Sequence, residues 1–430
     1  MRAGLLACCA AAFLAGPAAA EEEFGFDVKQ FEKRPFEIGG YAELKAEQVA
    51  LDRDAALYEL RFFDDPGRQD FNRRTASVQL EGLYRRGSGS FRFVGFGSYT
   101  DDYSSSDLDT HVYEAYLTLA PSARATVDIG KKMLSWGKGY AFNPVGFIQR
   151  PKDPNDPDLS REGFVMVGGN FVRSFEGPLA TFSVTPLVIP TNDRVNEDFG
   201  PGDHINPAVK LSMLYRDTDI DVIWLGEGSR SARYGATFAR NLTTNFEIHG
   251  EWAHLTESTR PVLHPTGAVT PVSESADSYL LGLRYLTDTD ITTIAEYYYN
   301  GAGYSESEMS DYFTFVHGAY DRCLATGECA ALAPSSDVAS AYGRGNSGRR
   351  YAYVRSSWKE PFDILYFTPS MTVMANLDDG SRSVSPELIY NRITNLELRF
   401  RLFFLSGDRL TEFGEKQNDR RLELRVRYYF

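Results

Sequence analysis

The sequence R-L-E-L-R-V-R-Y-Y-F closes the chain at residues 421–430. Its even positions carry apolar or aromatic side chains, which are Leu422, Leu424, Val426, Tyr428 and Phe430. Its odd positions carry mostly charge, at Arg421, Glu423, Arg425 and Arg427. Because successive side chains of a strand point to opposite faces, the segment predicts a β-strand with one apolar and one charged face. Such a strand fits a soluble core, or a transmembrane barrel whose apolar side meets lipid and whose charged side meets a wet lumen.

The segment also ends on an aromatic residue, Phe430. It resembles the C-terminal strand of bacterial outer-membrane β-barrels, which typically ends in Phe and is read by the barrel-assembly machinery. The resemblance implies that this machinery is a partner through Phe430. It also implies that outer-membrane lipid and lipopolysaccharide surround the protein.

The N-terminus indicates export. A basic Met1-Arg2 start, an apolar stretch over 5–14 and Ala18-Ala19-Ala20 before three glutamates have the pattern of a cleaved signal peptide. We therefore expect a signal peptide at 1–20, a periplasmic segment at 21–35 and one barrel domain at 36–430. After the signal, the sequence contains no continuous apolar run long enough for a membrane-spanning helix.

Composition narrows the class of partner. The formal net charge is −14, which argues against nucleic acid. Tyr and Phe number 25 and 29, a content that suits interfacial aromatic girdles. Cys323 and Cys329, six positions apart, predict a disulfide in an oxidising compartment, and a metal site there would lack ligands.

Strand-like alternation recurs along the chain. We predict an all-β, antiparallel up-and-down barrel of about eighteen strands, with sixteen possible. The predicted strands are 36–47, 73–86, 90–101, 110–120, 124–134, 163–175, 179–190, 207–216, 219–226, 231–240, 244–253, 278–286, 290–299, 350–358, 364–376, 384–391, 394–405 and 421–430.

The connections alternate in length. Those after even-numbered strands are usually short, whereas those after odd-numbered strands are usually long and polar: 48–72, 135–162, 191–206, 254–277, 300–349 and 406–420. Outer-membrane barrels show this asymmetry, with tight periplasmic turns and long extracellular loops. We therefore expect a multi-pass barrel in the cell outer membrane.

Connection 135–162 follows the fifth predicted strand, so we expect it to be the third extracellular loop, and it is rich in Gly, Pro and aromatic residues. Its glycines permit an inward bend, and its prolines stiffen the remainder. It resembles the W-G-x-G…N-P segment of large porin-like barrels related to the alginate-export group. Two interpretations stay open, a constriction that contacts solute and a loop that only braces the wall. The candidate constriction residues are Trp136, Lys138, Tyr140, Asn143, Arg150 and Lys152.

Charged side chains should also line the lumen. We expect four arginines of the last two strands to face inward, at Arg399, Arg401, Arg425 and Arg427. The first strand, which must pair with the last, places Glu37 and Glu43 on its inward parity. Such walls either form salt-bridge ladders that support the barrel or select solutes by charge.

Glu247, His249 and Glu251 share one face of a predicted strand. Alternate residues of a strand lie about 7 Å apart, too far for three ligands of one ion, so a solvated lumen stripe is favoured over a metal or catalytic site. We predict no enzyme activity and no cofactor.

These patterns predict a porin-like channel for passive or facilitated diffusion of a small polar or acidic solute, as a monomer or small oligomer, with loop 135–162 as its constriction. One alternative is an outer-membrane transporter of hydrophobic molecules or lipids. A second is an outer-membrane lipid hydrolase.

Overall fold

The computed structural model describes residues 35–154 and 162–430. The predicted signal peptide and all of segment 21–35 except its last residue lie outside this range. Eighteen strands, numbered in chain order, carry the fold: β1 Phe36–Leu51, β2 Asp70–Arg86, β3 Gly89–Asp101, β4 Ser106–Ser122, β5 Ala125–Lys132, β6 Phe164–Ser174, β7 Leu179–Thr191, β8 His204–Tyr215, β9 Thr218–Leu225, β10 Arg233–Thr243, β11 Phe246–Leu263, β12 Val269–Leu286, β13 Ile291–Tyr299, β14 Arg350–Trp358, β15 Phe367–Asn376, β16 Arg382–Tyr390, β17 Leu396–Ser406 and β18 Asn418–Tyr429.

The strands form one closed antiparallel sheet. Each strand pairs with its neighbours in sequence, and β1 pairs with both β2 and β18. In the closing pair, Glu43 lies opposite Arg427 and Lys45 opposite Arg425. Closure leaves no sheet edge with unpaired backbone groups, which is the condition for a sheet to cross lipid. The prediction of an eighteen-stranded up-and-down barrel is confirmed.

The C-terminal strand shows which side of the sheet meets lipid. Leu424 and Val426 are 50% and 42% exposed on the outer surface, whereas Glu423 and Arg425 are 3% and 7% exposed. The apolar side chains are therefore exposed and the charged ones buried, as expected for a barrel with an apolar exterior and a charged interior. The same alternation on the other strands produces a transmembrane barrel.

The two rims differ as predicted. Turns after even-numbered strands are short, for example 87–88, 216–217 and 244–245, and we call this end the short-turn rim. The opposite end, the long-loop rim, carries most of the long connections. One predicted loop is wrong: 254–277 is largely strand, because β11 and β12 continue as a projecting hairpin whose loop is only 264–268. Pro261 and Pro271, which suggested a loop, lie opposite each other in this hairpin.

Helices at the long-loop rim form a cap. They are α1 Ala56–Arg61, α2 Glu306–Thr326 and α3 Ala333–Tyr342. α2 begins with a capping box, in which the Ser305 hydroxyl accepts from the Glu308 amide and the Glu308 carboxylate accepts from the Ser305 amide. A disulfide joins Cys323 in α2 to Cys329. None of the helices in the described part of the chain combines the length and the apolar composition that a membrane span needs.

The cap has its own apolar core and one buried ionic junction. Tyr312 stacks on Tyr342 with ring centroids 4.0 Å apart. Beside this core, His317 of α2 donates from Nδ1 to Glu59 of α1 (2.7 Å) and from Nε2 to Glu415 (3.1 Å). Burial alone would lower the pKa of His317, but the hydrogen bonds to Glu415 and Glu59 outweigh it and raise this pKa to about 9. Three segments of the cap are therefore held together through one imidazolium.

The ionic junction at His317 predicts that the stability of the cap depends on pH. A histidine pKa raised above its unfolded value of roughly 6.5 contributes stability at neutral pH that is lost as the pH rises through about 9. We expect amide-exchange protection factors in 306–326, corrected for the intrinsic pH effect, to fall between pH 7 and pH 10. His317→Gln should lower them already at pH 7, and His264→Gln, at an exposed site, should not. Equal protection at both pH values would contradict this role of His317.

Candidate functional site

The connection between β5 and β6, residues 133–163, folds into the barrel. We call it the lumen loop; its residues 155–161 lie outside the described range. Trp136, Val145, Phe147 and Ile148 are each at most 3% exposed. They pack against inward-facing apolar side chains of the wall, which are Leu187, Ile189, Ala208, Ile223, Leu225 and Ala253. The wall in this sector is apolar because it binds the loop rather than water.

Two wall carboxylates hold the loop by its backbone. Glu251 of β11 accepts from the amides of Lys138 (2.5 Å), Gly139 (2.6 Å) and Val145 (3.3 Å). Glu296 of β13 accepts from the next three amides, those of Tyr140, Ala141 (2.9 Å) and Phe142 (3.4 Å). Hydrogen bonds to a charged acceptor are shorter and stronger than neutral ones. The loop is therefore suspended from the barrel wall through six amide groups.

This arrangement corrects the expectation for Glu247, His249 and Glu251. They do not form a continuous solvated stripe, because the loop buries His249 and Glu251 and leaves only Glu247 partly exposed. The His249 side chain is fully buried and lies 3.1 Å from Glu296 Oε1. The ring of Tyr140 meets it edge-on, with ring centroids 5.3 Å apart. Within residues 35–154 and 162–430, no cluster of three His, Cys, Asp or Glu side chains could bind a metal ion.

The two glycines of the W-G-x-G motif serve different needs. Gly137 has φ of 111°, a conformation that other residues rarely adopt. Gly139 is needed for space, because a Cβ there would collide with the carbonyl oxygen of Phe142. The turn is closed by Asn143, whose Nδ2 donates to the carbonyl oxygen of Trp136 at 2.7 Å. The predicted inward bend is present, and these residues produce it.

The predicted constriction residues divide into two groups. Trp136 is buried against the wall, and Lys138 lies 3.5 Å from Asp221 and 3.6 Å from Asp219 of β9. Arg150 and Lys152 instead border a cavity at the long-loop side. Lys152 Nζ donates to the carbonyl oxygens of Gly139 (2.5 Å) and Tyr140 (3.2 Å), so it also fixes the loop.

The cavity above the lumen loop has a volume of about 410 Å³. Four cationic side chains line it, and no Asp or Glu does so among the residues that the structure describes: the cations are Arg150, Lys152, Arg230 and Arg233. In a chain with net charge −14, this concentration of cations is unusual. We call this space the cationic vestibule.

Arg230 and Arg233 were missed by the sequence analysis. Arg230 donates to the carbonyl oxygen of Phe199 and, at 2.7 Å, to that of Phe147. Its guanidinium carbon also lies over the Phe199 ring, 4.0 Å from the ring centroid. Burial, with the neighbouring Arg233, lowers the pKa of Arg230 to about 10, which still leaves it charged at neutral pH. The buried Nε of Arg233 has no hydrogen-bond partner in the described chain. No local motif marks these arginines; only the fold brings them to the loop.

The inward arginines of the last strands form an ion-pair ladder. Arg427 lies 2.7 Å from Glu43, and Arg401 donates from Nε to Glu387 at 2.8 Å. The other residues predicted for this wall also lie within 3.1 Å of an opposite charge: Arg425 of Glu423, Arg399 of Glu397, and Glu37 of Arg85.

The lumen loop also reaches this ladder. Its Asp153 lines a second cavity, of about 210 Å³, together with Arg401, Arg425 and Arg427. The loop is fixed to β11 and β13 at Glu251 and Glu296, and it extends to the wall formed by β17 and β18. It therefore crosses the lumen.

No family model and no curated protein matches the chain. Solved structures do match. Acinetobacter baumannii OccAB1 aligns with a TM-score of 0.52 and 11% identity, over 91% of this chain and 96% of that chain. Pseudomonas aeruginosa OccK7 (OpdD) has a TM-score of 0.49 and 12% identity, over 93% and 99%. Pseudomonas aeruginosa OprD also has 0.49, with 9% identity, over 93% and 97%. The likeness to OccAB1 shows that this chain shares its β-barrel fold.

Proposed function

We propose that this protein is an outer-membrane channel for the diffusion of small acidic solutes, with the lumen loop as its constriction. The observation that carries the proposal is the cationic vestibule, where four basic side chains face a cavity without a lining carboxylate among the described residues. A solute carboxylate there would gain charge-assisted hydrogen bonds. It would share Arg150 with Glu162 and Asp198, and it would share Lys152 and Arg230 with carbonyl oxygens of the lumen loop. An eighteen-stranded barrel is wide enough for an aqueous path narrowed by an inserted loop.

The position of the loop supports the constriction. It is fixed at one wall by Glu251 and Glu296 and borders the arginine ladder at the other through Asp153. A solute that enters from the vestibule would pass between the loop and the ladder. The resemblance of the W-G-x-G…N-P segment to the alginate-export group is compatible with an acidic solute.

The proposed orientation places the long-loop rim outside the cell and the short-turn rim in the periplasm. Phe430 lies at the short-turn rim. Its amide donates to the carbonyl oxygen of Gly40 and its carbonyl oxygen accepts from the Gly40 amide, each at 3.1 Å, and its side chain is 52% exposed. That exposure suits recognition by the assembly machinery. Membrane lipid would cover the apolar exterior, and lipopolysaccharide would meet its outer half.

The two alternatives receive less support. A path for hydrophobic molecules needs apolar side chains along an open lumen, but Phe142 of the lumen loop is buried against Tyr298 and Tyr353 of the wall. A lipid hydrolase that used the Glu247, His249 and Glu251 face would need an accessible imidazole, whereas His249 is fully buried. Lipid hydrolysis by the purified protein that disappears in His249→Ala would favour the enzyme.

Planar bilayers test the channel directly. We expect steady single-channel current after insertion of the purified protein, with a reversal potential in a salt gradient that favours anions. The control is a preparation unfolded by heat before addition. A closed barrel, without current at any voltage, would overturn the proposal and favour the hydrophobic route.

A further inference from the structure

The turn between β14 and β15 differs from the others at the short-turn rim. It spans 359–366, K-E-P-F-D-I-L-Y, whereas the other seven turns are two to five residues long and mostly polar. Its tip presents apolar side chains to the surroundings. Phe362 is 80% exposed and Leu365 61%, and Ile364 and Tyr366 are about half exposed. Ile393, in the adjacent turn 391–395, is 56% exposed and extends the surface.

The backbone of this turn holds the apolar side chains outward at a steric cost. Four of its non-glycine residues have left-handed φ values of 50–64°: Glu360, Phe362, Asp363 and Tyr366. Such values are disfavoured for residues with a Cβ. Hydrogen bonds fix the conformation, from the Tyr366 amide to Glu360 Oε1 (2.8 Å) and from the Ile364 amide to the carbonyl oxygen of Pro361 (3.1 Å). A turn braced in this way presents its side chains in a defined direction.

The exposed tip is continuous with the lipid-facing surface of the barrel. On β14, Val354 and Trp358 share the outward parity, and Val354 is 41% exposed. The ring of Phe362 packs against the ring of Trp358, with centroids 5.1 Å apart. Trp and Tyr favour the boundary between hydrocarbon and water. The apolar patch therefore starts in the lipid belt and continues past the end of the strands.

We propose that turn 359–366 is a membrane anchor, whose Phe362, Ile364 and Leu365 insert at the boundary between headgroups and acyl chains of the leaflet at the short-turn rim. Lipid is the occupant that continuity with the belt favours. Lys359 is exposed at the start of the turn, and a lysine side chain is long enough to bring its ammonium group to lipid phosphates. The carboxylate of Asp363 is also exposed at the tip, and it can remain in the hydrated layer between headgroups.

Site-directed spin labelling tests the anchor in the full chain. Phe362→Cys and, separately, Leu365→Cys would be labelled with the Cys323–Cys329 disulfide left oxidised, and reconstituted into phosphatidylethanolamine–phosphatidylglycerol vesicles. We expect labels at 362 and 365 to collide with oxygen, which partitions into lipid, severalfold more than with a water-soluble nickel chelate. The matched control is Asp288→Cys in turn 287–290 of the same rim, where the nickel chelate should dominate.

Two results would overturn the anchor. Labels at 362 and 365 that collide with the nickel chelate as often as the label at 288 would place the turn in water. Labels that are immobilised and shielded from both reagents would mean that protein, such as a second copy of the chain, covers the turn. Using two label positions guards against local damage by either substitution, and folding of each variant is checked by heat-modifiable gel mobility.

Discussion

Replacing Glu251 and Glu296 together with glutamine should raise single-channel conductance severalfold. Each carboxylate accepts from three loop amides, so six amide groups lose a charged acceptor. Hydrogen bonds to charged groups contribute roughly 1.5–3 kcal/mol each. Glutamine also turns an NH₂ group toward amide donors, which is repulsive. The lumen loop should therefore leave its position and widen the path, a change measured in planar bilayers.

The matched control is Glu81→Gln. Glu81 also faces the lumen and pairs with Arg92 at 3.0 Å, but the hydrogen bonds that suspend the loop do not involve it. The conductance of the Glu81→Gln variant should stay near the wild-type value. If the double variant conducted like wild type while remaining folded, the loop would not limit flow and would serve only to brace the wall.

Replacing Arg230 and Arg233 with glutamine should weaken solute binding in the vestibule by at least about tenfold. A carboxylate that loses charge-assisted hydrogen bonds loses roughly 1.5–3 kcal/mol for each, and 1.4 kcal/mol corresponds to a factor of ten. The measurement is the concentration of a small dicarboxylate, added at the long-loop side, that halves the channel current. Arg233→Gln alone should give part of the effect, because Arg230 then keeps its charge and its hydrogen bond to the carbonyl oxygen of Phe147.

Two controls separate this effect from general electrostatics. Arg194→Gln removes an exposed charge of the same rim outside the vestibule and should leave the half-blocking concentration unchanged. Arg233→Lys keeps the charge and should retain most of the binding. Equal half-blocking concentrations in wild type and the double variant would remove the vestibule from the transport path.

The barrel could be predicted because each membrane-spanning strand repeats one local pattern, the alternation of lipid-facing apolar and lumen-facing polar side chains. Alternation along residues 421–430 indicates which side chains face lipid, and the alternating connection lengths indicate the two rims. The pattern fails where the chain leaves the membrane. There β11 and β12 continue through Pro261 and Pro271 without the lipid–lumen alternation. The helix α2, whose N-cap is Ser305, lies within a connection that was predicted as a loop.

The site was predictable only in part. The W-G-x-G segment carries its bend in its own glycines, so the loop can be identified from sequence. The two carboxylates that hold the loop cannot be identified from sequence, because Glu251 and Glu296 lie more than a hundred residues from the loop amides that donate to them. Arg230 and Arg233 line the vestibule only because the fold brings their connection at the long-loop rim close to the lumen loop. No local sequence pattern predicts that contact.

Uptake by proteoliposomes tests the central claim most directly. The purified chain would be reconstituted, and entry of a small labelled dicarboxylate compared with entry of an uncharged solute of the same size. The vestibule and the loop that crosses the lumen predict faster entry of the dicarboxylate, and loss of that preference in the Arg230→Gln/Arg233→Gln variant. No entry of either solute, or equal entry of both, would contradict a channel for acidic solutes.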